Sequence, residues 1–383
     1  MDRKKINRGS LLLGAAALGS SWLACHPEPE RQLPVPPTAA APTAVAATAA
    51  APTAAAPSAA APETIQARIN PRLLRRFSPL ASDDTAPSPA QQAKVALGRM
   101  LFFETRLSLK EDLSCNSCHR LDAYGVDKQA TSPGAGGKRG TRNSPTVYHA
   151  AVSFSQFWDG RSPDVEQQAK GPILNPSEMA MPNAELVVAR LRQIPGYVEG
   201  FARAYPGDAQ PLSYDHVGDV IGAFERGLVT PSRWDDYLRG NESALSSAEV
   251  EGLKVFTDIG CMVCHTGNLL GGNSFQRAGV VKPWKDQRDQ GRFQVTKDPG
   301  DKMVFKVPTL RNVAETGPYF HDGSIATLPE AVRVMAQHQL GLELEEREIT
   351  AIVAWLRSLT GELPKAYIAQ PQLPTRAGGK DPT

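Results

Sequence analysis

Cys115-Asn-Ser-Cys118-His119 and Cys261-Met-Val-Cys264-His265 decide how this chain is read. Each is a C-x-x-C pair running directly into a histidine, the attachment sequence of a c-type haem. Two thiols on one short turn add across the two vinyl groups of a haem, and the next residue puts an imidazole under the iron. At this chain's Cys and His frequencies, chance supplies roughly 0.001 such pentapeptides; both of these are present. A lone C-x-x-C also fits a redox dithiol or half of a zinc site. The histidine that follows both pairs favours haem.

Working outward, the 383 residues hold 42 Lys and Arg against 40 Asp and Glu, a formal net charge of +2. That balance excludes the strong positive field of a nucleic-acid binder. Five cysteines are too few for a disulfide scaffold of this length, and the odd one is Cys25. Residues 1–24 read as an export signal: Arg3, Lys4, Lys5 and Arg8 precede an apolar stretch, Leu11 to Ala24, too short for a membrane span. Cys25 follows in Trp22-Leu23-Ala24-Cys25, which is similar to a bacterial lipoprotein signal and makes Cys25 the candidate lipidation point. Trp22 departs from that pattern, standing where an aliphatic residue is usual. Residues 25–63 read as a tether. From Pro34 to Pro62 almost everything is Ala, Pro, Thr or Ser, which offers no core and an extended reach on the order of 90 Å. The expected location is the periplasm, with the folded part tethered to a membrane.

Beyond the tether the pattern is helical. Ser88-Pro89-Ala90-Gln91 opens one helix with a capping box, and Ser246-Ser247-Ala248-Glu249 opens another. The two share a local pattern, Gly98-x-x-Leu-Phe102 and Gly252-x-x-Val-Phe256, and each precedes its own haem motif. A closing helix carries Ile349, Ile352, Leu356 and Leu359, with Gly361 and Pro364 as stop signals. No alternating run is long enough to propose a sheet. The expected fold is mainly α: two tandem cytochrome c-type domains, each with one covalently bound haem c. They span residues 64–240 and 241–365, followed by a tail at 366–383. For the far side of the second iron, spacing leaves His321, His338, Met303 and Met335 open.

From about Ala90 to Gly361 the ordered motifs accumulate: Gly98-Arg-Met-Leu-Phe-Phe103, Arg142-Asn-Ser-Pro-Thr146, Gln156-Phe-Trp-Asp-Gly-Arg161, Gln168-Ala-Lys-Gly-Pro172, Asn175-Pro-Ser-Glu-Met179 and Pro318-Tyr-Phe-His-Asp-Gly323. With these the chain resembles the bacterial dihaem cytochrome c peroxidases. The resemblance implies that H2O2, two electrons and two protons become two waters. It implies that Cys261, Cys264 and His265 hold the electron-accepting haem with Met335 above the iron, and that Cys115, Cys118 and His119 hold the peroxide haem. Gln168 then orients peroxide, Glu178 moves the proton during O–O cleavage, and Trp158 carries electrons between the haems. A calcium ion is implied on the Asn143 side chain and the carbonyls of Thr316 and Pro318, oxygen donors suited to a hard cation. The electron donor is a small cytochrome or copper protein, and a homodimer is common in the family.

One position departs. Many relatives carry a capping histidine 16 residues after the first proximal one; here that position is Ala135, inside Ser132-Pro-Gly-Ala-Gly-Gly137. Alanine cannot ligate iron, so the expectation is a first haem open at rest, with Lys138 and Tyr124 as the nearby substitutes. Two other readings compete. In an electron-transfer cytochrome, Met179 would close the first haem. The related dihaem enzymes that oxidise a partner protein during methylamine dehydrogenase maturation carry Tyr where this chain has Met335.

Overall fold

Ser88 begins the first long helix: its side chain accepts a hydrogen bond from the Gln91 amide at 3.2 Å, and Pro89 supplies a first-turn residue with no amide to satisfy. In the computed structural model, which describes residues 69–81 and 86–378, this helix is α1, Pro89–Phe102. It is followed by α2 (Val165–Leu174), α3 (Ala184–Arg192), α4 (Pro195–Ala204), α5 (Tyr214–Glu225) and α6 (Arg233–Leu238). Then come α7 (Ser247–Asp258), α8 (Leu328–Met335) and α9 (Glu346–Arg357). The Ser246–Glu249 capping box is formed in both directions at the start of α7. The fold is mainly helical. Its strands are β1 (Phe275–Arg277) and β2 (Val304–Lys306), antiparallel with Phe275 opposite Lys306. Three residues are too few for alternation to show in a sequence, which is why this ribbon was not foreseen. Cys25, the export signal and the Ala/Pro segment lie outside the described residues. Among the described residues no helix is long and apolar enough to cross a membrane.

The described residues cluster as one unit with two principal cores. In the first, α1 crosses α5 and buries Leu97, Leu101 and Phe102 against Val220, Ile221 and Phe224. In the second, α7 crosses α9 and buries Leu253 and Phe256 against Ile352, Trp355 and Leu356. Glycine permits both crossings. A Cβ at Gly98 would stand 1.7 Å from the Val220 carbonyl oxygen, and one at Gly252 would stand 1.9 Å from that of Ala351. The shared Gly-x-x-x-Phe pattern thus marks one packing solution used twice.

The packing does not follow chain order. Ile69 and Phe77 belong to the second core, and the Gly267 amide donates to the Arg76 carbonyl at 2.8 Å. At the other end Tyr367 stacks on Phe224 of the first core with ring centroids 5.1 Å apart. A fully buried ion pair holds the second half together: Arg311 donates to both carboxylate oxygens of Asp235 at 2.6 and 2.8 Å. Asp235 also accepts from the Leu80 amide at 2.7 Å, which fastens the incoming chain. Removing one partner of such a pair strands a buried charge and costs about 3–5 kcal/mol.

Candidate active site

The first motif forms a single helical turn, Cys115–Cys118, closed by the Ser114–Ser117 capping box. The second forms a tighter turn, Cys261–Val263, entered through Gly260 at φ 100°, a left-handed conformation that glycine adopts freely. In both, residues i and i+3 lie on one side of the turn, so the two thiols face the same way. Each following histidine is held by its Nδ1. His119 Nδ1 lies 3.3 Å from the Gly125 carbonyl oxygen, and His265 Nδ1 lies 2.9 Å from that of Leu270. Such a bond fixes the tautomer with Nδ1 protonated and leaves Nε2 as the metal-binding atom. Burial pushes both imidazoles below their ordinary value, which keeps them neutral. Burial also pushes the Cys115 thiol up and the Cys261 thiol to about 12, the opposite of what a redox dithiol needs.

Both motifs open on one cavity of about 1140 Å³. Its wall includes Cys115, Cys118, His119, Cys261, Cys264 and His265, together with Gln168, Glu178, Trp158, Met335, Asn143, Thr316 and Pro318. The chain folds locally to bring them there. Gln168 faces the cavity from α2, as do Pro172 and Asn175 one and two turns later. Pro176 keeps Asn175 out of the helical region (ψ 122°), so α2 stops and the chain reverses. In that reversal Asn175 accepts from the Ser177 amide at 2.9 Å and donates through Nδ2 to Glu178 Oε1 at 2.8 Å. Burial raises the Glu178 carboxyl above its ordinary range, against the opposing pull of Arg161 and the Asn175 bond. The result is a positioned carboxyl able to hold a proton.

The loop bearing Ala135 packs backbone to backbone on this reversal. The Ala135 amide donates to the Glu178 carbonyl at 2.7 Å, and a Cβ at Gly134 would stand 2.0 Å from the Ser177 carbonyl oxygen. Lys138 is exposed, and the Tyr124 hydroxyl donates to the Gly361 carbonyl at 3.2 Å. Neither borders the cavity, whereas Met179, packed in the first core, does.

Trp158 ties the halves together. Its Nε1 donates to the Asn143 carbonyl at 2.9 Å, its own carbonyl accepts from the Lys306 amide at 2.8 Å, and its ring meets His321 edge-on at 6.4 Å. Asn143 spends its side-chain nitrogen on the carbonyls of Gln129 and Ala130, at 3.0 and 3.3 Å. Met335 closes α8, where the helix widens into a π turn, Ala336–Leu340.

Comparison with known proteins agrees with this geometry. The family described as Di-haem cytochrome c peroxidase matches residues 92–243, and the family Cytochrome c matches residues 249–360. The chain is 44% identical over 291 residues to cytochrome c551 peroxidase of Pseudomonas aeruginosa, covering 75% of this chain and 83% of that one. It belongs to the bacterial dihaem cytochrome c peroxidase family. The peroxidase is also 34% identical over 300 residues to the methylamine utilization protein MauG of Methylorubrum extorquens, covering 75% of this chain and 83% of that one. Among solved structures, a MauG-like protein associated with microbial copper homeostasis superposes with a TM-score of 0.68 at 29% identity, covering 77% of this chain and 96% of that one.

The dihaem peroxidase carries two haem c groups, and its residues fit them: paired thiols on one turn, a buried neutral imidazole held through Nδ1 directly after each pair, and a shared cavity. Two cavity residues escaped the sequence reading. Glu225 ends α5 with a buried carboxyl beside Cys115, pushed up to about 8 by burial. Lys306 ends β2. A carboxylate in the last turn of an apolar helix opposes the helix dipole, and that was a legible signal for Glu225. Lys306 carried none, because its strand is too short to read.

Proposed function

We propose that this dihaem peroxidase reduces hydrogen peroxide to water at the haem of Cys115, Cys118 and His119. Electrons enter at the haem of Cys261, Cys264 and His265 from a small periplasmic cytochrome or copper protein. The observation that carries the reading is the common cavity, in which the two motifs share a wall with Gln168, Glu178, Trp158 and Met335. A haem iron with an open sixth position supplies two-electron reduction of a small oxidant, and one closed by His and Met supplies electron transfer at raised potential. The stoichiometry is H2O2 plus two electrons and two protons to two waters.

Glu178 is the general acid/base: it takes the proton from one peroxide oxygen and returns it to the departing one. Its raised affinity for a proton and its Asn175 bond support that role. Gln168 orients the peroxide from the neighbouring face. Met335 and His265 would hold the second haem iron, and Trp158 would conduct between the halves. The Asn143 amide oxygen and the carbonyls of Thr316 and Pro318 would hold a calcium ion, next to the Trp158 hydrogen bond. Ala135 cannot ligate iron and would leave the first haem open at rest, so the enzyme would work without prior reduction. Lipidation at Cys25 and the Ala/Pro segment hold the catalytic unit at a membrane facing the periplasm.

The test is turnover of H2O2 by the as-isolated ferric enzyme, with and without prereduction, using a reduced small cytochrome as donor. Equal rates and a first haem that binds cyanide rapidly are expected. A wholly low-spin first haem in electron paramagnetic resonance, inert until reduced, would sink the open-haem reading and favour closure by Met179.

A further inference from the structure

The cationic side chains on the cavity wall are not equally provided for. Arg142 donates to Asp289 at 2.6 and 2.8 Å and to Asp159 at 2.5 Å, and Arg161 reaches the same Asp159 at 3.1 Å. Lys306 differs. Its Nζ donates to the Ser155 carbonyl at 2.9 Å, and among the described residues it takes part in no ion pair. Burial alone pushes its ammonium down to about 8. The Ser155 hydroxyl beside it is buried with no hydrogen-bond partner among the described residues.

An ammonium partly withdrawn from water without a counter-ion is unfavourable, and an anion brought to it compensates the cost. The cavity holds two haem groups, and each haem c brings two carboxylates. We propose that Lys306 is the anchoring cation for a haem propionate on the Trp158 side of the cavity, and that its charge sets the potential of that haem. Lys306 is tied to Trp158 through the 2.8 Å bond from its own amide to the Trp158 carbonyl. The charge therefore stands beside the residue read above as the electron conduit. A cation on a propionate neutralises the negative charge that would otherwise favour ferric iron, so it raises the potential. The inference rests on the haem assignment, not on the peroxide reading, and its test does not use turnover.

The experiment is a spectroelectrochemical titration of the full-length dihaem protein as wild type, Lys306→Met and Lys306→Arg. In Lys306→Met one midpoint potential falls while the other holds, and Lys306→Arg restores most of the difference. Resonance Raman of the wild-type ferric protein supplies a readout that needs no variant: one haem shows propionate bending modes displaced as for a charge-paired carboxylate. The proposal is overturned if neither potential moves in Lys306→Met, or if both haems of the wild type show the modes of free propionates. Failure of the peroxide reading alone would abolish turnover without altering these results.

Discussion

Gly98 on α1 lies against Val220 and Phe224 of α5, and Gly252 on α7 lies against Ala351 and Trp355 of α9, with almost the same close approach. One crossing therefore builds both halves, and the shared register makes their differences informative. Phe224 corresponds to Trp355, so the next residue pairs Glu225 with Leu356; both border the cavity. On the first side stand a buried carboxyl, a second carboxyl at Glu178 and an amide at Gln168, with Ala135 on the loop packed against Glu178. On the second stand Leu356, Met335 and a more apolar wall. Chemistry that consumes protons needs groups that hold them, whereas electron transfer needs an iron kept from water. The fold was repeated and the polarity was not.

The comparison breaks most visibly at Glu178. Glu178→Gln is expected to lower peroxide turnover by about 10²–10⁴-fold, the range for loss of a positioned acid/base. Reduction of the second haem by its donor, followed by stopped flow, should stay at the wild-type rate. If both steps slow together, the division of labour between the halves is wrong. Ala135→His is the next largest change. It should give an enzyme whose as-isolated turnover is mostly lost and returns on prereduction, read in the same assay with the first haem's spin state monitored alongside.

The paired glycines test the shared crossing itself. Gly98→Ala and Gly252→Ala each force a methyl into a backbone carbonyl, and overpacking of this kind costs about 1–3 kcal/mol. Thermal unfolding should register both. Because both haems are covalently attached, the haem absorbance followed through unfolding should show each variant losing native iron ligation in its own half first. Equal loss from both halves in either variant would mean that the two crossings unfold as one.

Much of this was legible in the sequence because it rests on local chemistry. C-x-x-C-H names its cofactor by spacing, the Ser-x-x-Glu box names a helix start, and Gly-x-x-x-Phe repeated before each motif pointed to two tandem units. What escaped is what depends on distant segments meeting. Ile69 and Phe77 join the second core and Tyr367 the first, because an apolar side chain carries no address. Lys306 looks like any strand lysine until its lack of a carboxylate is seen in three dimensions. Assignment of Met335 over Met303, His321 and His338 came from family motifs, since all four lie at workable distances along the chain.

The smallest expected effect sharpens the comparison at Glu225. Burial raises this carboxyl from 4.5 to about 8, with Glu166 adding to the shift and Arg226 opposing it. Between those two values the folded protein keeps a proton that the unfolded chain has released. The group's contribution to stability is therefore fully present below pH 4.5 and is lost as the pH rises through about 8. One proton corresponds to a slope of at most about 1.4 kcal/mol per pH unit. Glu225→Gln removes that slope, so the variant should gain on the wild type as pH rises from 5 to 8, measured by denaturant unfolding of the holoprotein. Leu356→Gln, at the corresponding place in the second half, should instead cost stability by an amount independent of pH. A wild-type curve parallel to that of Glu225→Gln would show that the carboxyl is ionised throughout, and Glu178 would then be the proton-holding carboxyl that distinguishes the first half.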